Sequence, residues 1–285
     1  MIQRAVVLLV PFCLLCCEQQ VAQVPESSAL SRYRFTAEAA TQWRLPNRLR
    51  EISGLATTPD GRLFAHDDEQ AIIYEIDYGA ERVVKAFALG DITQRDDFEG
   101  LAVADNKFYL VSSYGRLYEA AEGADGERML FNTYGTGVGR QCEVEGLAFE
   151  PADRSLLLLC KTARTRELEE FVAIYKWSLD QRSLTVDSPL LIPLEAVTDH
   201  IKGKSFNPSG IEIHPLTGTY FVVAAKQEAI AEIAPDGTVG GVIELPGKVH
   251  RQVEGIAFVP VADLLLGDEG QGGRGRLTLY SLTGQ

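Results

Sequence analysis

From residue 33 onward, short apolar runs alternate with polar turns, and the 3.6-residue spacing of an amphipathic helix is almost absent. One order of elements recurs. A Gly-Leu or Gly-Ile phrase is followed by a turn ("TPDG", "ADN", "EPADR", "HPLTG", "VPVAD"), then by an apolar run ("RLFAH", "KFYLV", "SLLLLC", "TYFVVA", "DLLLG"). A polar turn leads to a third run ("AIIYEI", "RLYEA", "FVAIYKW", "AIAEI", "RLTLYSL"), and the first four units add a fourth ("ERVVKAFAL", "ERMLFN", "LTVDSPLLIPL", "TVGGVIEL"). Runs of this length, β-branched or aromatic and bounded by Gly, Pro, Asp and Asn, predict short antiparallel strands. The helical exception is "LEAVTDHIKG", read as an insertion between the third and fourth units.

The repeated phrase fixes the period. Its glycines stand at Gly54, Gly100, Gly146, Gly210 and Gly255, successive spacings of 46, 46, 64 and 45 residues, within the range of propeller blades. The 64-residue interval is too short for two units, so the expected fold is an all-β, five-bladed propeller. The fifth unit ends after its third strand. An unassigned strand-like stretch at 37–46 is therefore expected to supply the missing strand and close the ring, leaving no long sheet edge open. Glycine in the innermost strand follows from crowding at the axis, where a residue without Cβ allows close backbone approach.

The first residues change the compartment. Residues 1–16 carry Arg4 and an apolar run in the layout of a secretory signal, too short to span a bilayer comfortably. "LLCC" resembles a bacterial lipobox, which would make Cys17 the acylated residue, 17–32 a flexible tether and 33–285 the propeller. A cleaved signal without lipid is the simpler alternative. The expected location is extracytoplasmic, at a bacterial cell envelope facing the periplasm. Two further cysteines, Cys142 and Cys160, flank a hairpin that brings them near each other. A disulfide and two buried thiols both fit that pattern, since a bridge needs a specific Cβ geometry.

Charge then narrows the function. Asp and Glu number 40 against 27 Lys and Arg, with no basic run, which disfavours nucleic acid as a partner and favours cations. If each phrase opens an innermost strand, Ser53, Glu99, Glu145, Ser209 and Glu254 form one ring, and Glu51, Asp97, Glu143, Asn207 and Gln252 a second on the same side of each strand. The ends of the second strands add Asp67, Asp68, Asp268, Glu269, Lys161 and Lys226. Converging carboxylates repel, so either a cation sits among them or they take up protons and hydrogen bonds. In the first reading Glu99, Glu145, Glu254 and Asp68 hold a hard cation such as Ca2+. In the second they pair with Lys161 and Lys226 and only tie blades together. No His and Cys cluster has zinc or iron spacing.

The series "EISGLA", "DFEGLAV", "VEGLAFEP … LLLLCK" and "PSGIEIHP" resembles the SdiA-regulated family, extracytoplasmic bacterial proteins distantly similar to NHL-repeat propellers. The likeness runs over residues 33–282 and implies a five-bladed propeller with a calcium site; it implies no reaction. Ser53 and Ser209 depart from the glutamate position and limit a carboxylate ring to three members. Two functions are expected from different classes. One is a membrane-anchored binding protein for a protein or small-molecule ligand; the alternative is a calcium-dependent lactonase or phosphoesterase, with Lys161 and Lys226 as anion stabilisers. No nucleophile arrangement favours the enzyme: Ser209 in "NPSGI" lacks the first glycine of a nucleophile elbow. His66, His200, His214 and His250 are scattered and read as surface or turn residues.

Overall fold

The structure, a computed structural model, describes residues 24–186 and 188–283. Five four-stranded antiparallel units succeed one another, each built outward from the repeated phrase. Blade 1 comprises Ile52–Thr57, Leu63–Asp67, Ile72–Asp77 and Arg82–Leu89; blade 2 Phe98–Ala104, Lys107–Ser112, Arg116–Ala121 and Phe131–Gly135. Blade 3 comprises Cys142–Glu150, Ser155–Ala163 and Phe171–Ser178, whose outer edge is shared by Ser183–Leu184 and Leu190–Pro193. Blade 4 comprises Gly210–Ile213, Tyr220–Ala224, Ala229–Ile233 and Val239–Glu244; blade 5 Val253–Val259, Asp263–Asp268 and Arg276–Tyr280. Thr41–Arg44 completes blade 5, pairing antiparallel with Arg276–Tyr280. The insertion in the long interval is a five-residue helix, Leu194–Thr198.

The strand sequences match their radial positions. Second strands are sandwiched between neighbouring blades, so they are apolar without alternation, and Tyr220–Ala224 is buried at every residue. Outer strands meet solvent on one side, and Arg82–Leu89 alternates accordingly. The blade 2 hairpin turns on Asp105 and Asn106, both at positive φ (51° and 59°), the two-residue geometry these side chains tolerate.

Five apolar clusters occupy the five seams between successive blades. The inner glycines show how tightly the ring closes. A Cβ on Gly100 would lie 2.7 Å from the Leu147 amide nitrogen, and one on Gly210 2.8 Å from the Glu254 carbonyl oxygen. On Gly255 it would lie 2.8 Å from Leu55, which joins the last blade to the first.

Two expectations are corrected. The stretch "ERMLFN" is not the outer strand of blade 2: Arg128–Met129 runs parallel to the outer strand of blade 1, and blade 2 is completed by Phe131–Gly135. Met129 and Phe131 both pack on the cluster between these blades, so one apolar segment serves two sheets. The stretch 17–32, expected as a flexible tether, is packed against the propeller in its described part. From Val24 the chain packs on the propeller; Ala29–Arg32 forms a 3-10 helix, Leu30 is fully buried between blades 4 and 5, and Ser28 Oγ donates to Glu232. The expected signal segment and the expected lipidation site Cys17 lie outside the described residues.

Candidate functional site

Each inner strand begins at one face of the disc, and the residue before each glycine points towards the axis. There the structure gathers Glu99, Glu145 and Glu254. Ser53 Oγ donates to Glu99 (3.0 Å), Gln252 Nε2 to Glu254 (2.8 Å), and Lys161 Nζ pairs with Glu145. Burial, with Glu145, Asp97 and Glu254 adding repulsion, raises the Glu99 pKa to about 10. Glu254 is raised to about 7, again chiefly by burial, with Glu269 and Glu145 contributing. Glu145 is raised by burial despite Lys161. At neutral pH the axis therefore holds a protonated Glu99 beside an ammonium.

Behind this ring the channel closes. The inner glycines and the aliphatic residues after them leave a void of about 10 Å³, room for about one water. The two faces of the disc are thus separate surfaces.

Around the mouth stand Glu51, Asp68, Asp97 and Glu269. Asp68 is raised by burial, then by Glu51, Glu69 and Asp97; Glu269 by burial, then by Glu51 and Asp68. These carboxyls occupy one neighbourhood, in which Arg50 pairs with Glu51 at 3.1 Å. Asp68 Oδ1 is buried without a hydrogen-bond partner among the described residues. Glu143 is part-buried and adds repulsion to Glu145.

Other expected site residues are employed elsewhere. Asp268 is buried, accepting from the Arg251 amide (3.0 Å) and meeting His250 Nδ1 at 2.7 Å, while His250 Nε2 meets Tyr280 Oη at 2.9 Å. Lys226 is exposed and lines a separate hollow of about 440 Å³ with Lys202 and Glu244. Ser209 Oγ donates to the Val253 carbonyl (2.6 Å) and accepts from the Ala225 amide (2.9 Å), tying blade 4 to blade 5 rather than serving as a nucleophile. Cys142 and Cys160 are disulfide-bonded, with Cα atoms 5.7 Å apart. Three of the four histidines correct the expectation of surface or turn positions: His66, His214 and His250 are fully buried, whereas His200 is an exposed turn residue as expected. Burial lowers the His66 pKa to about 4, and its Nε2, beneath Gly54, has no partner among the described residues.

The axial donors do not fit a calcium ion as arranged. Glu145 already has the Lys161 ammonium, Glu99 and Glu254 accept from Ser53 and Gln252, and among the described residues, rim included, no group of three His, Cys, Asp or Glu side chains is placed to hold a metal. Lys161 supplies the positive charge that the ring requires. At the rim, Asp68 Oδ1 is a buried oxygen, of the kind hard cations take, without a hydrogen-bond partner among the described residues.

On the opposite face, where the inner strands end, the hairpin turns enclose a cavity of about 890 Å³. Sequence reasoning did not find this cavity. Its floor carries Thr57, Val103, Phe149, Ile213 and Phe258, the third residue after each inner glycine. The residue before these is Ala56, Ala102, Ala148 and Ala257 in four blades but Glu212 in blade 4, a break in the repeat that was the available signal.

No protein-family model matches the chain, and no curated protein sequence matches it. Solved structures resemble it in fold. Glutaminyl cyclase of Myxococcus xanthus is 16% identical over 86% of this chain and 96% of its own, with a TM-score of 0.56. The PQQ-bound aldose sugar dehydrogenase of Streptomyces coelicolor is 15% identical over 85% and 98%, at 0.53. The gluconolactonase XC5397 of Xanthomonas campestris is 12% identical over 81% and 72%, at 0.52. At such identity the likeness shows the propeller fold and carries no activity across.

Proposed function

We propose that the chain is an extracytoplasmic binding propeller, tethered to the bacterial envelope through Cys17, whose acidic mouth receives a cationic ligand. The observation that carries this reading is the gathering of Glu51, Asp68, Asp97 and Glu269 at the mouth, with Asp68 Oδ1 buried and without a hydrogen-bond partner among the described residues; burial and Glu51 raise both Asp68 and Glu269. Like charges held together are relieved when a cation arrives, so the rim gains affinity from repulsion already present. Support for the compartment comes from the Cys142–Cys160 bridge. Among the described residues no helix is long and apolar enough to cross a membrane, and an anchor at Cys17 requires none. The SdiA-regulated type stays within this proposal on its motifs alone.

Calcium belongs to the proposal as the simplest ligand of the rim, starting from Asp68 Oδ1, and not of the axial glutamates. Lacking a closed shell, such a site falls in the weak range of extracellular modules, about 0.1–1 mM. Titration calorimetry of chelator-stripped protein with Ca2+ alone, then with Mg2+ alone, tests it. Calcium uptake that Asp68→Asn abolishes and Glu99→Gln spares is the expected result; no uptake at millimolar Ca2+, or uptake lost in Glu99→Gln and kept in Asp68→Asn, refutes it. The hydrolase alternative gains no residue, because of its two anion stabilisers Lys161 is committed to Glu145 and Lys226 lines a separate hollow.

A further inference from the structure

The cavity on the far face combines three features. It is walled mostly by apolar groups, including Phe149 and Phe258 on its floor, and its volume of about 890 Å³ lies within the range of small-molecule sites. Its lip carries two large apolar side chains left exposed, Leu216 (57%) and Val261 (67%). Val261 is held at φ 70°, and the Ala262 carbonyl beside it accepts from Tyr33 Oη at 2.6 Å. A β-branched residue in the left-handed region is an uncommon, strained conformation.

The third feature is Glu212. By strand alternation it shares a face with Gly210 and His214, opposite Phe221 in the register. One carboxyl oxygen accepts from the Ile213 amide at 2.8 Å, and no other hydrogen bond reaches the carboxyl from the described residues. The other lining carboxyls are occupied: Glu150 by Lys176 and by Tyr220 Oη (2.5 Å), Asp60 by Thr58 and by Arg62 (2.9 Å). No described lining residue is Lys or Arg, and the buried His214 is held by Tyr33 Oη (3.1 Å) and Thr217 (2.9 Å). Desolvation raises the Glu212 pKa to about 7 and keeps His214 below its usual value. In four blades the equivalent position is alanine, so the carboxyl serves nothing the fold repeats.

We propose that this cavity is a second binding site, distinct from the acidic mouth, for a small amphiphilic amine whose ammonium is held by Glu212 and whose apolar body lies on Phe149 and Phe258. An ammonium supplies the missing partner of the carboxyl, and the aromatic faces favour both a cation and an apolar chain. A carboxylate ligand meets Glu212, Glu150 and Asp60 with no base to receive it.

The test is calorimetric titration of phenethylamine at pH 8, with phenethyl alcohol and phenylacetate as neutral and anionic counterparts of the same shape. The amine is expected to bind at least tenfold more tightly than the alcohol, and phenylacetate not measurably. Glu212→Gln should reduce amine affinity at least tenfold. Glu212→Ala should do the same while restoring the residue of the other blades, so that a folding defect in the first variant leaves the second to decide; melting curves verify both. Asp68→Asn, at the mouth, should leave binding unchanged. No amine binding at millimolar concentration, equal binding of amine and alcohol, or affinity insensitive to Glu212→Ala overturns the proposal, as does loss in Asp68→Asn with retention in Glu212→Ala.

Discussion

Replacing Glu99 by Gln separates a protonated axial carboxyl from an ionised one. In the folded chain its pKa is raised to about 10 from an ordinary value of 4.5. Between these two values the folded state keeps a proton that the unfolded state has released. Stability therefore falls as pH rises through this window, by about 1.4 kcal/mol per pH unit for one proton. Gln is neutral at every pH, nearly isosteric with the protonated acid, and can still accept from Ser53 and donate towards Glu145. Relative to Glu99→Gln, the wild-type protein should thus lose up to about 2.7 kcal/mol between pH 6 and pH 8. Residual solvent at the mouth reduces this figure, since Glu99 is only part-buried. Glu254 and Glu212, each raised to about 7, titrate in both proteins, and Glu99 is neutral throughout, so their contributions cancel in the difference. Urea unfolding with a chelator present, followed by tryptophan fluorescence (Trp177 is buried), measures both curves. If the two stability curves run parallel from pH 6 to pH 8, Glu99 is ionised in the fold and the description of the axis is wrong.

Further outcomes follow from the same coordinates. Lys161→Met should destabilise by about 2 kcal/mol or more at pH 8, where Glu145 loses its partner, and clearly less at pH 5, where Glu145 can take up a proton instead; unfolding at the two pH values decides. Gly100→Ala should cost about 1–3 kcal/mol, because its Cβ meets the Leu147 backbone at 2.7 Å, whereas Gly126→Ala meets nothing within 4 Å and costs only the strain of φ 77°; thermal melts compare them. Removing the bridge with Cys142→Ser and Cys160→Ser together should cost about 3 kcal/mol for a loop closed over 18 residues, measured by urea unfolding.

The blade count, the strand order and ring closure by the N-terminal strand were legible because they rest on a period and on local alternation, both of which survive without tertiary information. The convergence of Glu99, Glu145 and Glu254 was legible for the same reason. Their chemistry was not. Whether a carboxylate ring holds a metal, a proton or an ammonium depends on where one lysine lands, and Lys161 reaches Glu145 while the equally plausible Lys226 does not. Burial of the histidines was likewise hidden. His250 sits in a loop-like stretch, and its partners Asp268 and Tyr280 come from two other strands. The misplaced outer strand of blade 2 shows the limit of pattern reading, since "ERMLFN" is apolar enough for either sheet and only packing assigns Met129 to blade 1's edge.

In a ring of five repeats, what the fold needs is what every blade has, and what one blade alone has must be accounted for separately. Gly at the axis and the aliphatic residue after it occur in all five units and are explained by the close approach of inner strands. The axial glutamates occur in three and find answers within the ring: a serine, a glutamine, a lysine. Glu212 occurs once, replaces a residue that packs well as alanine, and meets no partner among the described residues beyond its own neighbouring amide. A carboxyl partly drawn out of water in this way costs stability whenever it ionises. That cost, borne by a single blade and facing a cavity of about 890 Å³, is the reason to seek the ligand of this propeller on both faces rather than at the acidic mouth alone.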